Sequence, residues 1–332
     1  MTTDPGRRLT PIVRTAPAKL NLTLAVLGRR DDGYHDLHSV MAPLALADRL
    51  SVAIAAGDTD SRHVVGLSPG PVVDDLVIRA FRGTREVVRR TWPGAPAAPP
   101  PLAARLEKRI PVAAGLGGGS SDAAAAIDAA LEAWGADLGE GERRGLALTL
   151  GSDVPFFLAD GIALVEGRGE RVTALPGVAG GPLGVLLVTP AVRVSTPEIF
   201  GSYDAGVRPD DDGAATRAAS MHVAEELGRG MSAAALLARA GILATANDLI
   251  VPAESVAPGL TAFRRGLSRV IRRPVGQSGS GPTLWALYSS EHEAAAAADV
   301  VREAVSSGLL VAPGEGDPFI AATTLVAGGR KR

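Results

Sequence analysis

The stretch Pro111-Val-Ala-Ala-Gly-Leu-Gly-Gly-Gly-Ser-Ser-Asp122 decides how the rest of this chain is interpreted. Four of its residues are glycines within five positions, and two serines follow them directly. After the serines, apolar residues recur at helical spacing, at Ala123, Ile127, Leu131 and Trp134. The sequence therefore predicts a glycine-rich loop that leads into a helix beginning at the serines.

Such a loop favours an anionic ligand. Glycines let a ligand approach the backbone closely, and the unpaired N–H groups at a helix N-terminus attract anions, most often a phosphate. A P-loop would need a lysine after the glycines, and a dinucleotide fingerprint would need a glycine where Ser120 stands. The alternative is a flexible surface turn capped by serine. The density of glycines favours phosphate binding over that alternative.

The composition limits the class of protein. A chain of 332 residues, 46% hydrophobic and 4% aromatic, is long enough for two domains with a core of alanine, valine and leucine. A net charge of −2 gives no electrostatic reason to bind nucleic acid or membrane. The absence of cysteine excludes disulfides and thiolate chemistry. With no apolar signal core and no membrane-spanning run, the sequence predicts a cytoplasmic protein.

Lysine is rare in this chain. Only three of the 34 basic residues are lysines, and one of them, Lys19, stands in a strictly alternating segment. Leucines 20, 22 and 24 fall on one side of the predicted strand, whereas Lys19, Asn21 and Thr23 fall on the other. These polar residues form either a solvated strand face or part of a functional site. The scarcity of lysine favours the site.

Two other places carry chemistry-bearing residues. Tyr34 and His35 follow a turn that ends at Gly33, and they either decorate the turn or bind a flat polar ring by stacking and hydrogen bonding. From the residues alone both interpretations stay open. Asp153 lies within Gly151-Ser-Asp-Val-Pro155, a context in which most aspartates are turn or capping residues.

The remaining pattern indicates mixed α and β structure. Strands are predicted at 40–56, 102–110, 184–188, 269–275, 283–288 and 309–311, and helices at 74–90, 141–150, 214–227, 257–267 and 292–306. A second glycine cluster, Gly276–Gly281, falls between two of these strands. The order strand, glycine turn, strand, helix and strand predicts a split β-α-β second domain. Surface loops are expected at 92–101 and 204–213, and a disordered tail at 328–332.

Three segments together resemble the motifs of the GHMP family of small-molecule kinases. They are Pro17-Ala-Lys-Leu-Asn-Leu22, the glycine-rich stretch quoted above, and Gly276-Gln-Ser-Gly-Ser-Gly-Pro282. The resemblance spans roughly residues 14–311 and is specific as a set. It implies an α+β two-domain fold. Residues 1–165 would form a ribosomal-protein-S5-like nucleotide-binding domain, and residues 166–332 a ferredoxin-like split β-α-β domain.

Two further segments, Asp32-Gly-Tyr-His35 and Leu150-Gly-Ser-Asp-Val-Pro155, resemble one group of enzymes within this family. They are similar to family members of the non-mevalonate isoprenoid pathway that transfer phosphate from ATP to the C2 hydroxyl of a cytidine diphosphate sugar alcohol. Mg²⁺ is implied by the reaction class, with its ligands unassigned. The partners would be small molecules, not nucleic acid or membrane, and the chain a monomer or homodimer. Alternatives are a GHMP kinase for another alcohol, such as homoserine, and a catalytically silent nucleotide-binding homologue.

The resemblance also implies residue roles. Asp153 would accept the proton of the attacking hydroxyl, Lys19 would stabilise charge near the transferred phosphoryl group, and Asn21 would lie beside the acceptor. Aromatic residues would sandwich the cytosine with a histidine at its edge, the substrate-binding set being Asn21, Tyr34, His35, Thr196, Pro197 and Phe200. ATP would be held by Pro111, Ala113, Ala114, Gly115, Leu116, Gly117, Gly118, Gly119, Ser120 and Ser121.

Three positions depart from the family pattern. Asp75 stands where an asparagine often contacts adenine, and a carboxylate cannot donate hydrogen bonds as an amide does. Asp122 also stands where an asparagine is common, and its charge would oppose a nearby phosphate. Met41 stands at a position that is often aromatic beside the cytosine.

Overall fold

The computed structural model of the chain describes residues 10–67, 75–91, 99–207, 209 and 213–326. Most of the predicted loop at 92–101, the aspartates of the acidic loop at 210–212 and the predicted tail at 328–332 lie outside the described residues. The strands are β1 Ile12–Asn21, β2 Ala25–Arg29, β3 His35–Ile54, β4 Ser61–Gly66, β5 Leu102–Lys108, β6 Ala163–Gly167, β7 Arg171–Ala174, β8 Gly184–Thr189, β9 Gly276–Gln277, β10 Leu284–Tyr288 and β11 Phe319–Thr324.

The helices are distributed unevenly among these strands, with several of them following one another between β8 and β9. They are α1 Leu76–Thr91, α2 Gly118–Trp134, α3 Glu140–Leu150, α4 Thr196–Asp204, α5 Ala214–Gly228, α6 Ala233–Ala238, α7 Ala240–Leu243, α8 Ile250–Val256, α9 Leu260–Ile271 and α10 Glu291–Ser306, with a short 3₁₀ helix at Pro155–Leu158. Among the described residues, no helix is long and apolar enough to cross a membrane.

The chain forms two compact units that are interleaved in sequence. The first contains residues 1–17, 47–110 and 118–158, and the second contains residues 18–46, 111–117 and 159–332. Because both β1 and β3 pass from one unit into the other, neither unit is one continuous segment. The domain boundary expected near residue 165 stays a prediction.

In the first unit, the C-terminal half of β3 pairs antiparallel with β5, and β4 pairs parallel with β5. β5 alternates as a half-buried strand should: Leu102, Ala104, Leu106 and Lys108 point inward. Helix α1 packs against α2 and α3. The inward position of Lys108 at the end of this apolar series places a cation inside the core.

In the second unit, the N-terminal half of β3 pairs with β6, and β6 forms an antiparallel hairpin with β7. A separate antiparallel sheet has the order β11-β8-β10-β9. Helix α10 packs on this sheet through small residues, Ala294, Ala298 and Val301, which are almost completely buried. The fold is the α+β arrangement that the motifs implied.

Three strand predictions were wrong in part. The stretch predicted as strand 269–275 begins inside α9, because the helical spacing of Phe263 and Leu267 on its buried face outweighs the β-branched Val270 and Ile271. The stretch 309–311 is irregular and exposes Leu309 and Val311. The closing strand is instead β11, which pairs with β8. The first predicted strand ends at Asn21 and resumes as β2.

Candidate functional site

The glycine-rich loop has an alternating backbone. Ala113, Gly115 and Gly117 adopt positive φ angles of 54°, 76° and 68°. Left-handed residues that alternate with ordinary ones turn successive N–H groups toward one side and so form anion-binding concavities. Helix α2 begins directly after this loop, at Gly118, two residues before the predicted start. Ser120 and Ser121 therefore belong to the first turn of a 17-residue helix.

The second glycine cluster lies against the first. Ser278 Oγ donates a hydrogen bond to the Gly115 carbonyl at 2.9 Å. A Cβ atom on Gly115 would lie 2.3 Å from the Ser278 carbonyl oxygen. Since neither backbone can retreat without breaking this contact, only glycine fits at position 115.

Lys19 and Asn21 form a buried polar pair in the second unit. Lys19 Nζ donates to Asn21 Oδ1 at 2.6 Å, and Asn21 Nδ2 donates to Ser39 Oγ at 2.8 Å. The backbone N–H of Lys19 donates to the carbonyl of Leu116, inside the glycine-rich loop, at 2.9 Å. Lys19 and Asn21 are only 3% and 2% exposed, so the alternative of a solvated strand face is wrong. A Cβ atom on Gly279 would lie 3.3 Å from Lys19 Nζ.

Asn247 is a supporting residue that the sequence analysis missed. Its Nδ2 donates to the carbonyls of Gln277 and Gly279 at 3.0 and 2.9 Å, and its Oδ1 accepts from the Leu249 N–H at 2.9 Å. This one side chain therefore fixes the second glycine cluster beside Lys19. The signal available was an Asn-Asp pair in an otherwise alanine-rich region.

His35 is held by one face of α4. Its ring stacks on Phe200 with centroids 4.6 Å apart and meets Tyr203 edge-on at 6.2 Å. His35 Nε2 lies 2.7 Å from Asp204 Oδ1. Phe200, Tyr203 and Asp204 are spaced i, i+3 and i+4, so they share one side of the helix. Of these three residues, only Phe200 belongs to the substrate-binding set that the family resemblance implied.

The other expected substrate residues lie around the same helix. Thr196 Oγ1 shares a 2.8 Å hydrogen bond with Ser280 Oγ and so ties the start of α4 to the second glycine cluster. Pro197 follows in the exposed first turn, after the N-cap Ser195. Tyr34 is 49% exposed, and the guanidinium of Arg168 lies 4.8 Å above its ring. One face of Tyr34 is therefore engaged by a cation.

A buried ionic cluster lies next to the glycine-rich stretch in the first unit. Lys108 Nζ donates to Asp122 Oδ2 at 2.8 Å and also to Asp48. Asp48 Oδ1 accepts in addition from the N–H groups of Arg109 and Ile110, at 2.5 and 2.9 Å. The cluster therefore links the end of β5 to Asp122, the fifth residue of α2. The sequence predicted that the charge of Asp122 would oppose a nearby phosphate. In the structure this carboxylate is already paired with the ammonium group of Lys108.

The ionisation of this cluster follows from its burial. Burial raises the pKa of Asp122 to about 7, against the opposing effect of Lys108. The two carboxylates raise the pKa of Lys108 despite its own burial. Two carboxylates share one ammonium, and burial of a charge without full compensation favours the protonated acid.

Two aspartates lie at ends of helices in the first unit. Asp75 Oδ1 accepts from the N–H groups of Val77 and Ile78, both at 3.1 Å, so it is the N-cap of α1. Asp153 lies in the tight turn between α3 and the 3₁₀ helix, where the Val154 N–H donates to the Gly151 carbonyl at 3.2 Å. Val154 and the phenylalanines of the 3₁₀ helix are buried and anchor this turn.

The structure thus brings together Lys19, Asn21, residues 114–116 and the second glycine cluster in the second unit, and in the same unit it gathers His35, Phe200 and Thr196 around α4. Ser121 Oγ is buried and has no hydrogen-bond partner among the described residues. Met41 is buried in β3, opposite Ala163. The described ranges hold no group of three or more metal-ligating side chains.

Comparison with known proteins gives consistent matches. Residues 75–161 match the GHMP kinases N terminal domain. The 4-diphosphocytidyl-2-C-methyl-D-erythritol kinase of Methylobacterium radiotolerans is 39% identical over 92% of this chain and 99% of its own length. That of Sinorhizobium medicae is 35% identical over 86% of this chain and 89% of its own. The crystal structure of a 4-(cytidine 5'-diphospho)-2C-methyl-D-erythritol kinase superposes with a TM-score of 0.65 and 32% identity, covering 94% of this chain and 99% of that one.

Proposed function

The chain belongs to the family of 4-diphosphocytidyl-2-C-methyl-D-erythritol kinases within the GHMP kinases, and we propose that it phosphorylates the C2 hydroxyl of 4-diphosphocytidyl-2-C-methyl-D-erythritol with ATP. One structural observation supports this proposal most directly. A buried lysine, paired with Asn21, is bound through its backbone to the glycine-rich loop. A cation kept out of water at that place suits the neutralisation of a moving phosphoryl group.

ATP would be held by the glycine-rich loop and the start of α2. The residues proposed are Pro111, Ala113, Ala114, Gly115, Leu116, Gly117, Gly118, Gly119, Ser120 and Ser121. The alternating positive φ angles and the N-terminus of α2 both favour phosphate oxygens. Mg²⁺ would shield the phosphate charge when bound, and the unpartnered hydroxyl of Ser121, with Ser120 and Asp153, supplies oxygen donors of the kind it prefers.

The transfer needs a base and a positive charge. Asp153 would take the proton of the C2 hydroxyl as its oxygen forms a bond to the γ-phosphorus of ATP. The bond between that phosphorus and the β–γ bridging oxygen breaks, and ADP leaves with the electron pair. Lys19 would neutralise the charge that spreads over the transferred phosphoryl group, and Asn21 would orient the acceptor.

The cytosine of the acceptor would be bound by Tyr34, Phe200 and His35, with Thr196 and Pro197 nearby. Tyr34 offers an exposed aromatic surface, and Phe200 is anchored by its stack on His35. One face of Phe200 is therefore used within the protein, and we expect the base to meet its other face or its edge. Aromatic surfaces of this kind bind bases mainly by stacking.

ADP release measured against a panel of alcohols tests this function. We expect turnover with 4-diphosphocytidyl-2-C-methyl-D-erythritol and none with homoserine or mevalonate. Turnover of homoserine instead would establish another GHMP kinase, and ATP binding without turnover of any alcohol would establish a catalytically silent homologue. A cytoplasmic location, a monomeric or dimeric state and a domain boundary near residue 165 remain proposals from the sequence.

A further inference from the structure

The imidazole of His35 is fixed from three directions by a single helix. Phe200 covers its face, Tyr203 meets its edge, and Asp204 Oδ1 lies 2.7 Å from Nε2. The residue is 7% exposed. An imidazole held in this way can neither flip nor rotate without giving up the stack or the hydrogen bond.

The contact with Asp204 decides which ring nitrogen carries the proton. An ionised carboxylate can only accept hydrogen bonds, so Nε2 must donate and therefore carries the hydrogen. In the neutral imidazole Nδ1 is then an acceptor. The other oxygen of Asp204 lies 3.6 Å from Nε of Arg29, so this carboxylate forms an ion pair with Arg29 as well. Within the part of the chain that the structure describes, no hydrogen bond to Nδ1 of His35 is found.

We propose that Asp204 is a positioning residue that holds His35 as the Nε2–H tautomer, so that Nδ1 accepts a hydrogen bond from the amino group of cytosine and discriminates against uracil. The proposal rests on the proposed function. Cytosine carries an amino donor where uracil carries a carbonyl acceptor. The Nδ1 lone pair can therefore accept a hydrogen bond from the amino group of cytosine, whereas it is repelled by the lone pairs of the uracil carbonyl.

The kinetic test compares two substitutions at position 204 with a control on the same helix. Asp204→Ala removes the acceptor, whereas Asp204→Asn keeps an oxygen that can accept from Nε2–H. Glu198→Ala removes an exposed carboxylate from the first turn of α4 that does not touch His35. Each variant is assayed with the cytidine acceptor and with the same sugar alcohol diphosphate carrying uridine, and KM for ATP is measured alongside.

We expect Asp204→Ala to raise KM for the cytidine acceptor roughly 3- to 10-fold, the usual worth of one hydrogen bond. Its preference for cytidine over uridine, as a ratio of kcat/KM, should fall by about tenfold or more, because a freed imidazole can present N–H to the uracil carbonyl. KM for ATP should stay unchanged. Asp204→Asn and Glu198→Ala should keep the preference within about threefold of wild type, which is less than the roughly fivefold change that the smallest cost of an unpaired polar group would produce.

A spectroscopic measurement is independent of turnover. Long-range ¹H–¹⁵N correlation spectra of the wild-type protein should show His35 with Nε2 protonated and Nδ1 unprotonated, and Asp204→Ala should give a tautomer mixture. A wild-type His35 protonated on Nδ1 would overturn the proposal, as would an Asp204→Ala variant with full preference for cytidine. If no cytidine acceptor is phosphorylated by the wild type, the proposed function fails, whereas the tautomer measurement still reports on Asp204.

Discussion

The Nζ atom of Lys108 lies 2.8 Å from Oδ2 of Asp122, and both side chains are 5% exposed. Lys108 is the last residue of β5, and Asp122 is the fifth residue of α2, so their bond joins the two segments that flank the glycines in the chain. Asp48 holds the same lysine and the two backbone N–H groups that follow it. The end of β5 and the start of α2 are therefore joined by a buried charge cluster and not by apolar packing alone.

Replacing Asp122 by asparagine should change how stability depends on pH. Burial raises the pKa of Asp122 to about 7 in the folded chain, above about 3.9 in the unfolded chain. Between these values the folded state binds a proton that the unfolded state has released. The stabilising contribution is therefore complete below about pH 4 and is lost as pH rises through about 7.

The Asp122→Asn variant lacks this titration. Its free energy of unfolding, relative to wild type, should improve from about pH 4 to about pH 7 by up to ~1.4 kcal/mol per pH unit, and should be level above that range. Urea unfolding of both proteins across this range measures the difference. Parallel stability curves would show that Asp122 does not titrate there.

Lys19→Arg should lower kcat by about 10²-fold. Arginine keeps the charge, but its planar guanidinium is wider than an ammonium and tends to form forked pairs with carboxylates. Lys19 Nζ already contacts Asn21 Oδ1 at 2.6 Å, with Gly279 close by, so the larger group must displace its neighbours. Small misplacements of reacting groups have effects of this order. ADP release measures kcat, and an unchanged melting temperature would separate the effect from misfolding. Turnover within about tenfold of wild type would reduce Lys19 to a general positive charge.

Asp153→Asn should reduce kcat by about 10²–10⁴-fold while ATP still binds, because an amide cannot accept the hydroxyl proton. The turn is held by the backbone hydrogen bond from the Val154 N–H to the Gly151 carbonyl, which the substitution leaves in place, and asparagine has nearly the size of aspartate. Stopped turnover with retained ATP affinity is the expected result in equilibrium binding and ADP-release assays. Near-normal turnover would make Asp153 a turn residue only.

Tyr34→Ala and Phe200→Ala should each raise KM for the cytidine acceptor and leave KM for ATP nearly unchanged. Each lost stack should cost about 1–3 kcal/mol, on the scale of base–aromatic stacking. Phe200→Ala should have the larger effect, because it also removes the ring against which His35 stacks. Initial rates with each substrate varied in turn give both constants. A rise in KM for ATP instead would place the two nucleotides in the opposite pockets.

Gly115→Ala should destabilise the chain and weaken ATP binding. Alanine at a φ of 76° is strained by about 1–2 kcal/mol, and its Cβ would lie 2.3 Å from the Ser278 carbonyl oxygen. Gly145→Ala in α3 is the matched control, since no atom lies within 4 Å of the added Cβ and helix propensity favours alanine by up to ~1 kcal/mol. Thermal unfolding and nucleotide titration of both variants provide the comparison. Equal melting temperatures would mean that the two glycine segments can separate.

The glycine-rich loop, the helix after it and the second glycine cluster were predictable, because glycine density and the helical spacing of apolar residues are local signals. The prediction that Lys19 belongs to a site rested on the rarity of lysine, since alternation alone does not say which face of a strand meets solvent. Asn247 and Asp204 were missed because their partners, Gly279 and His35, are distant in sequence.

The errors in secondary structure have the same origin. The residues at 309–311 have strand-like side chains, but β11 takes the edge position on β8, so they find no partner strand. For Asp122, the departure from the family pattern predicted a charge that opposes a nearby phosphate, because nothing local in the sequence shows that Lys108 pairs with it. Local pattern fixes turns and helix starts, whereas the pairing of distant polar groups depends on the completed core.

The burial of Lys19 and Lys108, at 3% and 5% exposure, has a practical consequence for labelling this protein. Lys331 is the only other lysine in the chain, so the primary amines consist of these three side chains and the N-terminus. Amine-reactive reagents can acylate Lys19 or Lys108 only when the surrounding structure opens. Acylation at Lys19 therefore reports local opening near Leu116, and acylation at Lys108 reports local opening near Asp122. Mass spectrometry can measure both without any engineered residue.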